Sequence, residues 1–192
     1  MATARGRFTH RPRNDPALYD GPYPFIQTGD IARASDGVVT SWTQSLNERG
    51  LAASRLAKKG TLVMAIAANI GDVAHLGFDA CFPDSVVALD PRPGLAKPYL
   101  FELMRALKPE LLGSSTLNTQ LNINVERIGD ILVPIPPPLT QGEVVKALRE
   151  HEESVGTATN EMTGQIDLLR EHRQALITHA VTQGIDGLPG VA

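Results

Sequence analysis

Gln165-Ile166-Asp167-Leu168-Leu169-Arg170-Glu171-His172-Arg173-Gln174-Ala175-Leu176-Ile177 is the densest apolar section of a stretch, residues 140–182, that has no proline and is rich in Glu, Gln, Ala, Leu and Arg. Residues of that kind lose little side-chain freedom in a helix, so the stretch predicts a single long one. Its start is marked twice. Pro134-Ile135-Pro136-Pro137-Pro138 is stiff and short of N–H donors, and Thr140 with Glu143 three residues on is a capping-box pattern. Along the helix, Leu148, Val155, Met162, Leu169 and Leu176 form one heptad row that is apolar throughout. Val145, Glu152, Thr159, Ile166, Arg173 and Ala180 form the other, which is mixed, and Gly156 and Gly164 weaken the middle. About 42 residues at ~1.5 Å each make a rod of roughly 63 Å. A domain of about 140 residues has a radius of gyration near ~14 Å, so part of the rod is expected to project. Packing on its own domain, a hairpin broken near Gly156, and pairing with a helix from another chain each bury the stripe. The heptad pattern favours pairing, through Val155, Met162, Ile166, Leu169, Arg173, Leu176 and Ala180.

Upstream, residues 23–138 have the texture of short strands and turns. Phe25-Ile26, Val38-Val39, the runs 61–66 and 85–89, and Ile131-Leu132-Val133 are β-branched or apolar and lie near Gly, Asp, Asn or Pro. One helix is predicted over 98–107, where Leu100, Leu103, Met104 and Leu107 recur at helical spacing behind a proline. A weaker helical piece over 43–57 is interrupted by Gly50. Arg5, Arg7, Arg11 and Arg13, with Pro12 and Pro16, suggest an extended basic arm ahead of the folded part. The expected fold class is α+β: a basic arm over 1–20, a mixed β-rich domain over 21–139, a long coiled-coil-forming helix over 140–183, and a tail over 184–192.

The 192 residues carry a net charge of −3, which gives no overall basic character to argue for nucleic acid. The charge is uneven, however: residues 1–140 hold 14 Lys+Arg against 13 Asp+Glu, and residues 141–192 hold 4 against 8. Cys81 is the one cysteine and has no partner for an internal bridge. No run of about 18 apolar residues is available to span a bilayer, and the Arg-rich start lacks a secretory apolar region, so no membrane association and a cytoplasmic location are expected.

Four segments in order carry a resemblance. Tyr23-Pro24-Phe25-Ile26-Gln27-Thr28-Gly29-Asp30-Ile31, Gln120-Leu121-Asn122-Ile123-Asn124, Ile135-Pro136-Pro137-Pro138-Leu139-Thr140-Gln141, and the 165–177 segment followed by Ala180-Val181-Thr182 resemble the specificity (S) subunit of type I restriction-modification systems. The similarity covers nearly everything after residue 20. It implies a target-recognition domain followed by a conserved long helix, a unit that normally occurs twice per chain with the helices antiparallel. It also implies a sequence-specific reader of double-stranded DNA without catalysis or cofactor of its own, whose partners are the modification (methyltransferase) and restriction subunits. This sequence carries one such unit and resembles a half-subunit. Two copies joined through their helices would form a homodimer reading two inverted half-sites around a spacer.

Base reading needs Arg, Asn, Gln, Ser or Thr on exposed loops, with Arg and Lys on phosphates. The polar run of Ser114, Ser115, Thr116, Asn118 and Gln120 is the first candidate, having no acidic residue to repel phosphate. Arg33, Ser41 and Thr43 form the second, supported by Arg49, Arg55, Lys58 and Lys59. Asn122 and Asn124 are better suited to fixing a turn. Two other classes compete: an assembly adaptor that keeps the helix but does not read DNA, and a metal-dependent hydrolase built on Asp72, His75, Asp79 and Cys81. Their spacing matches no strong metal template, so no metal is expected, and no phosphate loop or nucleophile signature is present.

Overall fold

The run Leu62-Val63-Met64-Ala65 is buried at all four positions, so its strand has to be covered on both faces. In the computed structural model, which describes residues 1–34, 36–113, 123, 128, 129 and 131–184, this is β6 (Leu62–Ala65), the centre of a five-stranded sheet. Successive side chains of a strand point to opposite faces. Leu62 and Met64 accordingly join Val87, Leu89, Leu100, Met104 and Leu111 in one core cluster, while Val63 and Ala65 join Ile26, Ile31, Val39, Leu76 and Phe82 in another.

The strands are β1 (Ala2–Arg5), β2 (Tyr19–Phe25), β3 (Val38–Val39), β4 (Gln44–Leu46), β5 (Leu56–Ala57), β6, β7 (Val73–Leu76), β8 (Ala80–Cys81) and β9 (Val86–Asp90). The five-stranded sheet runs β1-β9-β6-β7-β3 and a four-stranded sheet runs β4-β2-β8-β5. In the first, only the β3–β7 pair is parallel, with Val39 opposite Leu76. Helices α1 (Thr28–Ala32) and α2 (Glu48–Ala53) link strands, and α3 (Lys97–Ala106) and α4 (Lys108–Gly113) supply the apolar faces that cover Leu62 and Met64. A third cluster, Phe8, Leu18, Phe25, Leu46 and Cys81, belongs to the four-stranded sheet. Burial pushes the Cys81 thiol up from its ordinary pKa.

Several expectations from sequence need correction. Residues 1–20 are part of the folded domain: β1 pairs with β9 from Ala2–Asp90 to Arg5–Val87, and Phe8 and Leu18 are core residues. Arg5 and Arg7 are exposed while Gly6 and Phe8, which alternate with them, are buried. Residues 43–57 hold β4 and then α2 rather than one helix. Gly50 does not interrupt α2; a Cβ there would lie 2.2 Å from the Leu18 carbonyl oxygen, so glycine permits the close approach. Ile131-Leu132-Val133 forms no strand: Leu132 is 98% exposed, and Ile131 packs on the α3 side of the core ahead of a proline that cannot donate to a ladder. The 98–107 helix is α3, with Leu100 and Met104 buried.

The long helix, α5, is Pro138–Gln183, 46 residues. It begins two residues before Thr140, with the proline as its first residue, a position where the missing N–H costs nothing. The chain divides into two units, Met1–Val145 and Lys146–Ala192. Within the first, the opening turns of α5 are fastened by Gln141, which is fully buried. Its Oε1 accepts the Ala96 N–H at 2.8 Å, and its Nε2 donates to the Gly94 and Pro136 carbonyls at 2.7 Å each. The Tyr99 hydroxyl on α3 donates to the Pro134 carbonyl at 3.1 Å. Within the second unit no side chain from 146 to 182 is buried. Threonine hydroxyls there bond back to carbonyls four residues earlier, as Thr159 does to Val155 at 2.8 Å.

Gln141→Leu keeps the volume but strands one N–H and two carbonyls. It is expected to lower the unfolding free energy by about 3 kcal/mol. Urea denaturation followed through Trp42, the one tryptophan of the chain and part of the first unit, checks this; a loss below about 0.5 kcal/mol would contradict the anchoring role.

Candidate nucleic-acid interface

Asp30 is a charged residue at 3% exposure, and its partners reach a polar cleft of the first unit. A buried carboxylate must be supplied with donors. The Gln27 N–H reaches Oδ2 at 2.8 Å, the Thr43 hydroxyl reaches Oδ1 at 3.2 Å, and the Arg33 guanidinium closes on Oδ1 from the solvent side. Gln27 in turn donates its side-chain amide to the Gln44 Oε1 at 3.0 Å. Together these bonds tie the N-terminal end of α1 to the loop that enters β4.

Thr43, Gln44 and Gln27 then line a cleft of about 670 Å³ with Phe8, Arg13, Asn14, Tyr19, Phe25 and Pro83. Its floor is aromatic: the Phe8 and Phe25 rings lie 5.0 Å apart and Tyr19 is 6.2 Å from Phe8. Among the described residues its polar lining is two glutamines, an asparagine, a threonine, an arginine and the Tyr19 hydroxyl, with no carboxylate. Amide side chains present a donor and an acceptor together, which matches base edges, and arginine suits guanine or phosphate. Arg13 is held by both oxygens of Asp84, at 2.7 and 2.6 Å. Beside Thr43, Trp42 is 47% exposed and rests edge-on against Phe78 with ring centroids 4.8 Å apart.

Of the sequence candidates, Arg33 and Thr43 meet at Asp30, and Ser41 lies exposed on the same loop. Lys58 and Lys59 are not among the residues lining the cleft; Asp79 accepts the Lys58 ammonium at 2.8 Å and the Lys59 N–H at 2.9 Å. The Lys58 bond is the main cause that holds the Asp79 carboxyl below its ordinary pKa. A depressed carboxyl contributes above the ordinary carboxylate range, and that contribution fades as pH falls through the native value. Ser114, Ser115, Thr116, Asn118 and Gln120, like Asn122 and Asn124, lie outside the described residues. Arg13, Asn14, Gln27, Gln44 and Trp42 were not among the sequence candidates. The signal for Trp42 was a lone tryptophan between Ser41 and Thr43; nothing in the spacing joins the others.

The residues weighed as a hydrolase site are spread over separate partners. Asp72 is paired with Lys108, Asp79 with Lys58, His75 stacks on Phe101 at 5.3 Å, and Cys81 is closed in the core. On α5, Leu148, Val155, Met162 and Leu169 are 40%, 50%, 63% and 67% exposed, so the apolar heptad row is uncovered. Ile166 and Arg173 are exposed, and Leu176 and Ala180 half-buried. No helix among the described residues is long and apolar enough to cross a membrane.

Residues 10–165 match the model of the type I restriction modification DNA specificity domain. The chain belongs to that family. Among curated relatives, the type I restriction enzyme MjaVIII specificity subunit of Methanocaldococcus jannaschii is 22% identical over 168 residues, 86% of this chain and 36% of its own length. Among solved structures, a chain of a type I restriction-modification system studied for complex assembly and conformational transition aligns with a TM-score of 0.73 at 20% identity, covering 95% of this chain and 46% of the other. The HsdS subunit from Thermoanaerobacter tengcongensis aligns at 0.65 and 18%, covering 95% and 45%. The mixed sheets followed by a long helix are thus the fold of these relatives, and this specificity-domain chain spans less than half the length of each. 

Asp30→Asn replaces an acceptor facing Arg33 by an amide and is expected to cost about 1–3 kcal/mol of stability, and Thr43→Val about 1 kcal/mol. Chemical denaturation of both variants checks the order; equal stability of Asp30→Asn and wild type would remove Asp30 as the organising group.

Proposed function

We propose that this chain is the DNA-reading component of a type I restriction-modification complex: its first unit reads one half of a bipartite target, and its long helix pairs with a second copy to read the other half. Methyl transfer and cleavage then belong to separate modification and restriction subunits. The family match over residues 10–165 carries this reading. Two structural features support it. The cleft beside β2 and β4 offers amide and guanidinium groups over an aromatic floor and, among the described residues, no lining carboxylate. The second unit leaves a seven-residue apolar repeat uncovered from Leu148 to Leu169.

In this reading Thr43, Ser41, Asn14, Gln27 and Gln44 contact base edges, Trp42 packs against a groove wall, and Arg33 and Arg13 approach phosphates. The 114–120 run remains a candidate for the same role. A helix of 46 residues is about 69 Å long, on the scale of roughly two turns of B-DNA, so it can set the half-site spacing. Two identical chains related by a two-fold axis read inverted half-sites.

Methylation mapping of a genome carrying the system, with and without this chain, is expected to reveal a motif of two inverted half-sites that vanishes when the chain is deleted. An unchanged methylation pattern would overturn the reading. For the helix, Leu169→Glu together with Leu176→Glu places carboxylates where the paired stripe would be dry, which is costly. Light scattering is expected to show half the wild-type molar mass with the Trp42 emission unaltered; an unchanged mass contradicts pairing through this row.

A further inference from the structure

We propose that Arg5, Arg7 and Arg55 form a phosphate-binding cleft that grips the DNA backbone next to the reading cleft, a proposal that rests on the DNA-reading function above. Among the described residues, these three arginines line a hollow of about 290 Å³. All three are exposed, and among the described residues none takes part in an ion pair with a carboxylate. Gathering three positive charges around one hollow is unfavourable unless an anion fills it, and the guanidinium fork suits phosphate oxygens.

The hollow is built, not frayed. Arg5 ends β1, and its Nε donates to the Asp84 carbonyl at 2.8 Å. Gly6 lies so close to the next turn that a Cβ would sit 2.1 Å from the Pro83 carbonyl oxygen, which locks the chain between the two arginines. Ser54, 3% exposed, holds Arg7 twice: its hydroxyl donates to the Arg7 carbonyl at 2.9 Å, and the Arg7 guanidinium donates to the Ser54 carbonyl at 2.8 Å. Arg55 is the next residue. Each guanidinium has five N–H donors, so one bond to a carbonyl orients it and leaves the others for a ligand.

Continuity argues for a polyanion over an isolated phosphate. Asp84 takes Arg5 on its carbonyl and Arg13 on its carboxylate, and Arg13 lines the reading cleft. Basic groups therefore run from Arg55 and Arg7, on the Ser54 side, through Arg5 to Arg13, the last two joined at Asp84.

The test uses the full chain and a labelled duplex of about 30 base pairs and arbitrary sequence, followed by fluorescence anisotropy from about 20 to 200 mM salt. Arg7→Ala with Arg55→Ala is expected to weaken binding by about tenfold or more at low salt and to reduce the slope of log affinity against log salt by about 2, one step per lost phosphate contact. Arg55→Lys retains charge without the fork and is expected to keep most of the slope, and a thermal melt of each variant separates a lost contact from a lost fold. A second arm titrates inorganic phosphate alone by calorimetry, where weak or no binding is expected; tight phosphate binding without duplex binding would overturn the backbone assignment. Unchanged affinity and slope in the double variant would overturn the cleft while leaving the DNA-reading function standing. Absence of duplex binding by the wild type at about 20 mM salt would overturn the cleft too, with methylation mapping judging the reading separately.

Discussion

A segment made of Pro134, Pro136, Pro137 and Pro138 offers the protein carbonyl oxygens and almost no N–H groups, so it can be docked only where another element supplies donors. The buried amide of Gln141 is that element. It donates to Pro136 and Gly94 and accepts from Ala96, thereby joining the proline segment, the turn before α3 and the first turn of α5 at one side chain. Tyr99 makes the matching bond to Pro134. A leucine at either position would fill space and hold nothing. Within the first unit the proline segment and the opening turns of α5 are thus fastened by directional hydrogen bonds, not by apolar contact alone.

The same economy of buried polar groups recurs elsewhere in the first unit. Among the described residues the buried polar side chains are Asp30, Ser54 and Gln141, and each is a junction. Asp30 joins α1 to the loop before β4; Ser54 joins the segment after β1 to the end of α2; Gln141 joins α3 to α5. Apolar burial around β6 supplies the bulk of the driving force, and these three groups specify which loops meet. Both concave basic or amide-rich surfaces lie next to one of them, Asp30 beside the larger and Ser54 beside the smaller.

Much of this fold was legible. The runs at β2, β6 and β9 and the α3 helix announce themselves through apolar or β-branched runs and punctuation, β3 only as the β-branched pair Val38-Val39, and the long helix through its composition and heptad spacing although that row stays uncovered. The short strands β5 and β8, two residues each, carry too few positions for any period. The N-terminal strand was hidden by arginines: Ala2-Thr3-Ala4-Arg5 is exposed along its length, and only the ladder to β9 makes it a strand. The site was legible in part. Arg33 and Thr43 could be named as polar loop residues, but their meeting at Asp30, and the approach of Asn14 and Arg13 to Gln27 and Gln44, depend on pairing between β2 and β4 that spacing does not encode. Lys58 looked like a free cation because its partner, Asp79, is distant in sequence and becomes adjacent only when β5 meets β8, where Asp79 also takes the backbone N–H of Lys59.

The loop carrying Ser41, Trp42 and Thr43 begins at a strand of one sheet and ends at a strand of the other. Its anchors, Val39 and Leu46, are core residues at 1% and 0% exposure, while the four positions 40–43 are exposed. Thr40 and Ser41 can be rewritten with little effect on the two frames the bridge connects, whereas Thr43 is tied to Asp30 and Trp42 to Phe78. If this span reads DNA as proposed, exchanging its exposed positions between homologues would transplant selectivity on an unaltered chassis.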